Sequence, residues 1–100
     1  MRRGEVWTAS RFGHDRKVVI VGHDAITRQR KAVLVVPISE VMPPGLVEPT
    51  VSDSEGTVLG VAQVPRVGEI SKEGLKAHAG MLASTSVEKI NMALRSTLDL

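Results

Sequence analysis

The chain has 100 residues, 42% of them hydrophobic, which is enough for a single domain spanning residues 1–100. It contains no cysteine, so disulfides, thiolate zinc sites and cysteine nucleophiles are excluded, and its three histidines show no metal-binding spacing. The net charge is only +2. No segment is apolar enough to span a bilayer or form a signal peptide, so we expect a cytoplasmic protein. We also expect no metal and no cofactor.

Three strands are predicted in the first forty residues. Glu5–Ser10 alternates in polarity, and two β-branched runs, Val18–Val21 and Ala32–Val36, are long enough for buried strands and too short for helices. Pro37 predicts the end of the third strand, because proline cannot donate to a ladder. The polar segments between the strands are predicted as a flexible loop and as a connection with a helical turn: Arg11–Lys17 and Gly22–Lys31.

The middle of the chain predicts short strands separated by turns. Glu40–Pro49 contains Pro43-Pro44-Gly45 and is expected to be an irregular loop. Gly60 permits a bulge in its strand. The remaining predicted elements are an edge strand, a turn, a strand, an extended segment, a helical turn and a last strand: Val47–Val51, Ser52–Gly56, Thr57–Gln63, Pro65–Ile70, Ser71–Leu75 and Lys76–Leu82.

The C-terminal segment changes period and predicts an amphipathic helix. Its apolar residues recur at steps of three and four and form one stripe: Val87, Ile90, Leu94 and Leu98. Ser84 or Thr85 is the expected N-cap, and Thr85-Ser86-Val87-Glu88 fits a capping box. The fold class expected is therefore mainly β with α, a small curled sheet or barrel of about five to seven strands with this helix packed on it.

Charge is distributed unevenly along the chain. Residues 1–31 hold eight basic and three acidic side chains, whereas residues 40–73 hold six acidic and two basic ones. A basic first third suits a phosphate-binding face, although an ordinary solvated surface explains it as well. Only Trp7 and Phe12 are aromatic, so nucleic acid bound here would be held by phosphate and polar base contacts more than by stacking.

Arg16 and Ser39 each stand at an end of a predicted buried strand. A guanidinium and a hydroxyl at neighbouring strand ends can hold one phosphate between them. The alternative for Arg16 is a surface arginine paired with Asp15. The alternative for Ser39 is a strand-end serine that bonds to local backbone.

Four motifs precede the C-terminal helix: Arg3-Gly4-Glu5-Val6-Trp7, Asp15-Arg16 before Val-Val-Ile-Val, Val-Val-Pro-Ile-Ser ending at Ser39, and Gln63-Val64-Pro65-Arg66. With these motifs the chain resembles the MazF/PemK (Kid) family, toxins of bacterial toxin–antitoxin pairs. The resemblance implies an SH3-like barrel that forms a homodimer and cuts single-stranded RNA without a metal. It also implies a cognate antitoxin, which we expect to place an acidic, partly disordered C-terminal segment in the RNA groove.

The reaction that the resemblance implies is attack of a ribose 2′-OH on the adjacent phosphate, which leaves a 2′,3′-cyclic phosphate and a 5′-OH. It needs a base, an acid and donors for the phosphate. The family's arginine and threonine correspond to Arg16 and Ser39. His14 is the local candidate for proton transfer, because an imidazole changes charge near neutral pH, with a solvated loop histidine as the alternative. We expect RNA contacts from four further residues: Arg11, Lys17, Gln63 and Arg66.

The chain departs from the family pattern at several positions. Lys17 replaces the proline after the arginine, and Gly60 and Ala62 replace an Arg-x-Asp pair known in the PemK branch. An inactive homologue is therefore an alternative. A non-catalytic toxin of the same fold that binds DNA gyrase is another, although that branch ends in Trp-Gly-Ile and this chain ends in Leu98-Asp99-Leu100.

Overall fold

The computed structural model describes residues 1–11 and 14–98, except for the side chains of Arg11 and Ala25. Within this part the chain forms seven strands, two α-helices and two 3₁₀ turns, Val64–Arg66 and Lys72–Gly74. The elements are β1 (Glu5–Arg11), β2 (His14–Ile20), α1 (Asp24–Gln29), β3 (Ala32–Ser39), β4 (Thr50–Ser52), β5 (Val58–Ala62), β6 (Gly68–Ser71), β7 (Leu75–Met81) and α2 (Ser84–Leu98). The predicted fold class is confirmed.

The strands form one antiparallel sheet in the order β4-β5-β3-β2-β1-β7, with β6 paired to β3. The β3 strand is the centre of this arrangement. One of its edges pairs with β2, and its other edge pairs first with β6 and then with β5. Because β3 spans both groups of strands, its end brings β2, β5 and the segment between β5 and β6 to one place.

The two faces of the sheet carry separate apolar clusters. Val19 and Val36 belong to a cluster that also contains Ile90 and Ala93 of α2, so this face is covered by the helix. Val18 and Val35 point the other way, because successive strand residues alternate. They belong to a second cluster enclosed by the curled sheet itself, against which Trp7 packs. Trp7 therefore contributes to core packing.

The start of α2 differs from the prediction. The helix begins at Ser84, and the Ala83 carbonyl accepts from the Val87 N–H, so Ala83 takes the position predicted for Ser84 or Thr85. Ser86 is buried, and its hydroxyl accepts from the Ser52 N–H at 2.9 Å. Anchoring to β4 therefore replaces the predicted capping box. The far end of the stripe is also less buried than predicted, since Leu98 is 54% exposed.

The loop predicted for Arg11–Lys17 is wrong for the residues that the structure describes, because Arg11 belongs to β1 and β2 already begins at His14 and pairs with β1 from that residue onward. Phe12 and Gly13 lie outside the described residues. The first three residues of β2 are exposed, so this arm of the hairpin extends past the core. A strand arm without a buried face has no apolar alternation, which is the signal that the prediction needs.

Pro37 also lies inside a strand and does not end it. Its carbonyl accepts from the Gln63 N–H at 2.9 Å, so its nitrogen faces the same edge of β3. That edge pairs with β6 up to Val35 and with β5 from Ile38. Pro37 falls between the two partners, where the missing donor costs no ladder bond.

The remaining predictions need smaller changes. The helical turn predicted within Gly22–Lys31 is the helix α1. The bulge expected at Gly60 is seen as a register shift between β4 and β5. The edge strand β4 is shorter and later than predicted. The extended segment from Pro65 is divided into a 3₁₀ turn and β6. Neither helix of the described residues has the length and apolar character needed to cross a membrane.

Candidate functional site

The second apolar cluster gives way to cationic side chains at the open end of the sheet. Along one face of β2 the residues are Ile20, Val18, Arg16 and His14, of which the first two are buried and the last two exposed. Pairing with β1 holds this arm in place beyond the core, with Arg16 opposite Ala9. The strand ladder therefore presents Arg16 and His14 on one rigid surface.

A cleft of about 840 Å³ opens beside this surface. Its walls come from the hairpin, from β3, from β6 and from the segment that follows β5. It brings together four of the residues predicted for the site: His14, Arg16, Gln63 and Arg66. Of the other three predicted residues, Ser39 and Lys17 do not line this cleft, and the side chain of Arg11 lies outside the described part of the chain.

A smaller cleft of about 340 Å³ lies where β2 and β3 diverge. The last pair between these strands is Val18 with Pro37. Arg16 and Ser39 stand two residues beyond that pair, one on each strand, and both line the small cleft together with Lys17. Because Arg16 also lines the large cleft, it stands at the junction of the two.

The alternative pairing of Arg16 with Asp15 is wrong. The Asp15 carboxylate instead accepts from Lys76 Nζ of β7 at 3.1 Å. Within the described part of the chain, the Arg16 guanidinium makes no ion pair or hydrogen bond. Its five N–H donors are therefore available to an anion at the junction of the clefts.

Ser39 does bond to local backbone, as its alternative role predicts. Its Oγ accepts from the Met42 N–H at 3.1 Å and from the Val41 N–H at 3.3 Å. A serine hydroxyl has two acceptor lone pairs and one donor. Both lone pairs are occupied, so the hydrogen-bonding capacity left to Ser39 is that of a donor. A donor is what a phosphate oxygen requires.

Gln63 is tied to the Ser39 turn. Its backbone N–H donates to Pro37, and its side-chain Nε2 donates to Met42 Sδ at 3.2 Å. Gln63 is expected to contact RNA, and its bond to Met42 also gives it a role in supporting the Ser39 loop. The structure places the side chain where it can do both, in the wall of the large cleft and one residue away from Ser39 through Met42.

Sequence reasoning missed several polar residues of the two clefts. Ser10 and Glu69 line the large cleft, and Thr8 and Glu40 line the small one. The pairing of Ser10 with Asp15 in the hairpin depends on the strand arm that was predicted as a loop. That arm has no apolar alternation, so the sequence carries no signal for this pairing.

The positions that replace the Arg-x-Asp pair have no room for those side chains. Ala62 is completely buried. Gly60 has a φ of +141°, and a Cβ there would overlap with the carbonyl oxygen of Ser39. This backbone therefore supplies no acid or base from β5.

A second polar cluster joins the N-terminus to β7, away from the clefts. Glu5 accepts from the Trp7 indole at 3.1 Å and from the Arg2 N–H at 3.0 Å, and His78 Nε2 lies 3.7 Å away. Burial alone would raise the pKa of Glu5, but these hydrogen bonds and the nearby positive charges of the N-terminus and His78 lower it. Trp7 and His78 also meet edge to face, with ring centroids 5.4 Å apart.

No metal centre is formed by the residues that the structure describes. Across 1–11 and 14–98, His, Asp and Glu side chains do not gather in groups of three or more that could hold an ion. Among the described residues, the side chains of the clefts with groups that can donate to or exchange protons with a bound molecule include Arg16, Ser39 and His14.

Comparison with solved structures shows the same fold in bacterial toxins. A mycobacterial endoribonuclease in complex with its cognate antitoxin superposes with a TM-score of 0.91 at 21% identity, covering 100% of this chain and 96% of that one. MazF in a MazE–MazF structure from Deinococcus radiodurans gives 0.85 at 13% identity, with 100% and 96% coverage. The Mycobacterium tuberculosis toxin MazF-mt6 gives 0.80 at 18% identity, with 96% and 97% coverage.

Comparison with curated proteins found no match, whereas a family model covers nearly the whole chain. That model describes the PemK-like, MazF-like toxin of type II toxin–antitoxin systems and matches residues 2–98. It includes both clefts and all nine strands and helices. The chain therefore belongs to the PemK-like, MazF-like family of type II toxins.

Proposed function

We propose that this chain is the RNA-cleaving component of a toxin–antitoxin pair, a metal-independent endoribonuclease that cuts single-stranded RNA at specific sequences. The observation that supports this most is the position of Arg16, unpaired within the described residues at the junction of two clefts, with Ser39 across the gap. Proteins of this fold that are named as endoribonucleases add to it.

The proposed reaction is transesterification. The 2′-oxygen of one ribose bonds to the adjacent phosphorus while the bond from phosphorus to the 5′-oxygen breaks, giving a 2′,3′-cyclic phosphate and a 5′-OH. Negative charge grows on the phosphate oxygens as this occurs. The guanidinium of Arg16 can donate two N–H groups to those oxygens, and the hydroxyl of Ser39 can donate one O–H. Preorganised donors of this kind lower the barrier.

Protons must leave the 2′-OH and reach the 5′-oxygen. Gly60 and Ala62 have no side chain that could transfer these protons. The imidazole of His14 can, and it lines the large cleft beside Arg16. We assign proton transfer at one of the two oxygens to His14. Lys17 and Arg66 extend positive charge along the small and large clefts and hold flanking phosphates, with Arg11 at the end of β1, paired with His14.

The same surface supports an antitoxin partner, and a homodimer is what the family resemblance implies. We propose a homodimer and a cognate antitoxin whose acidic C-terminal segment occupies the clefts and excludes RNA, because an anionic peptide matches the charge of Arg16, Lys17 and Arg66. Solved relatives were crystallised with antitoxin or as MazE–MazF assemblies, which supports an antitoxin partner here.

The test is cleavage of a mixed-sequence single-stranded RNA by purified protein in excess EDTA, with the new ends mapped as 5′-OH. Arg16→Ala should lower the cleavage rate by at least about 100-fold, the scale of losing one preorganised donor group. Arg95→Ala, an exposed arginine of α2 outside both clefts, is the matched control and should cleave normally. Intact RNA with folded, antitoxin-free protein would support the inactive-homologue alternative instead.

A further inference from the structure

The amide of Gln63 is poorly satisfied at both ends. Its Oε1 is enclosed and has no hydrogen-bond partner among the described residues. Its Nε2 donates to Met42 Sδ, and a thioether is a weak acceptor. An enclosed amide oxygen without a donor costs free energy, so this side chain is held in an unfavourable position in the unliganded protein.

The backbone of Gln63 is, by contrast, fixed. Its N–H donates to the Pro37 carbonyl and its own carbonyl accepts from the Arg66 N–H, each at 2.9 Å. The side chain of Gln63 is therefore attached to a fixed backbone in the wall of the large cleft, and it can reorient by rotation about its own bonds. Rotation of the amide into the cleft breaks one weak hydrogen bond, from Nε2 to Met42 Sδ. It also makes the unsatisfied Oε1 accessible to a donor on a molecule bound in the cleft.

We propose that Gln63 selects one base of the RNA next to the cleaved phosphate, by turning its amide into the large cleft and pairing with that base. This inference rests on the proposed function. An amide offers one acceptor and one donor side by side, and the matching base edge has an amino group beside a ring nitrogen. On their Watson–Crick edges adenine and cytosine have an amino group beside an unprotonated ring nitrogen, whereas the ring nitrogen beside the amino group of guanine is protonated there. Arg16 lines the same cleft, which places the selected base beside the phosphate that Arg16 holds.

Base selection is also connected to the phosphate site. Met42 accepts from Gln63 through its sulfur and donates from its N–H to Ser39 Oγ. When the amide of Gln63 leaves Met42, the turn that positions Ser39 is freed from one of its restraints. We therefore expect binding of the correct base to change kcat as well as to lower KM.

The experiment measures kcat/KM for RNAs that differ in one base beside the cleavage position. Wild-type protein should prefer adenine or cytosine there, and replacing that base by its analogue without the amino group should lower kcat/KM roughly 10- to 100-fold, the scale of leaving one enclosed acceptor unpaired. In Gln63→Leu the two RNAs should differ by less than about 3-fold. A purely structural role would slow both RNAs equally and leave their ratio unchanged.

Met42→Leu serves as the control variant, because it removes the sulfur acceptor and keeps the volume. It should retain the discrimination between the two RNAs while altering kcat for both. Discrimination by Gln63→Leu equal to that of wild type would overturn the inference, as would a wild-type enzyme indifferent to the amino group at every position. If wild-type protein cleaves no RNA, the proposed function itself fails, which is a different result.

Discussion

Gly60 packs directly against the backbone of Ser39. With its φ of +141°, a Cβ on Gly60 would overlap with the Ser39 carbonyl oxygen and lie 3.0 Å from the carbonyl carbon. Ser39 pairs with Val61, so the contact lies inside the β3–β5 ladder. The position of the Ser39 end of β3 therefore depends on the absence of a side chain at residue 60.

Gly60→Ala should both destabilise the protein and impair the site. We expect about 1–3 kcal/mol of backbone strain and a further loss of about 1–3 kcal/mol from the forced contact with Ser39. Gly80→Ala is the matched control, because Gly80 has a φ of +134° and no neighbour within 4 Å of a built Cβ. Urea denaturation of both variants measures the difference. Equal losses for the two would show that Ser39 yields without cost.

Ser39→Ala removes the acceptor for the backbone N–H groups of Val41 and Met42. It also removes the O–H donor that we propose for the phosphate. We expect a loss of about 0.5–1.5 kcal/mol in unfolding free energy, since Val41 is exposed and its N–H can turn to water. RNA cleavage should fall by a larger factor than this modest loss of stability explains. Ser39→Thr keeps the hydroxyl and should restore activity. Normal cleavage by the alanine variant would leave Ser39 with only its turn-forming role.

The parts of the fold with a buried face were predictable from the sequence. Val18–Val21 are all buried, and so are Val33, Val35 and Val36 of β3, although Leu34 is exposed. Val87, Ile90 and Leu94 recur at helical spacing and pack in the cluster where α2 covers one face of the sheet. The exposed arm from His14 was not predictable in the same way. Its extended structure comes from pairing with β1, and a polar strand arm looks like a loop in sequence.

The site was predictable as a set of residue types more than as an arrangement. Arg16 and Ser39 were found from their places beside apolar runs and from the family resemblance. Nothing in the sequence indicates that Met42 lies between Ser39 and Gln63, because that contact is made by an irregular loop packing on a residue 21 positions away. The unsatisfied oxygen of Gln63 depends on the same packing.

His14 should affect the pH dependence of cleavage and not the fold. The His14→Gln variant is expected to lose roughly 100-fold or more in rate, in the range of general acid–base catalysis, and to change the shape of the dependence of the rate on pH. His78→Gln is the control, since His78 lines neither cleft. A profile of His14→Gln parallel to that of wild type would assign the proton transfers to another group.

Glu5 should make the stability of the protein depend on pH in the acid range. Its carboxylate is 17% exposed and accepts from Arg2 and Trp7, and its pKa in the folded protein is lowered. A lowered folded pKa means that the unfolded chain binds the proton more readily. The stabilisation by Glu5 is therefore complete above the ordinary glutamate pKa of about 4.3 and is lost as pH falls through the lowered folded value.

Glu5→Gln tests this contribution, because it keeps an acceptor oxygen and removes the charge. We expect the variant to be less stable by about 1 kcal/mol at pH 7, the scale of a charge-assisted hydrogen bond, and to converge with wild type once the pH is below the lowered pKa of Glu5. Chemical denaturation followed by the fluorescence of Trp7, the one tryptophan of the chain, measures both curves. Glu88→Gln, at an exposed position of α2, controls for the general effect of removing one negative charge. Parallel curves for Glu5→Gln and wild type across the acid range would mean that the hydrogen bonds to Glu5 contribute equally with and without its charge.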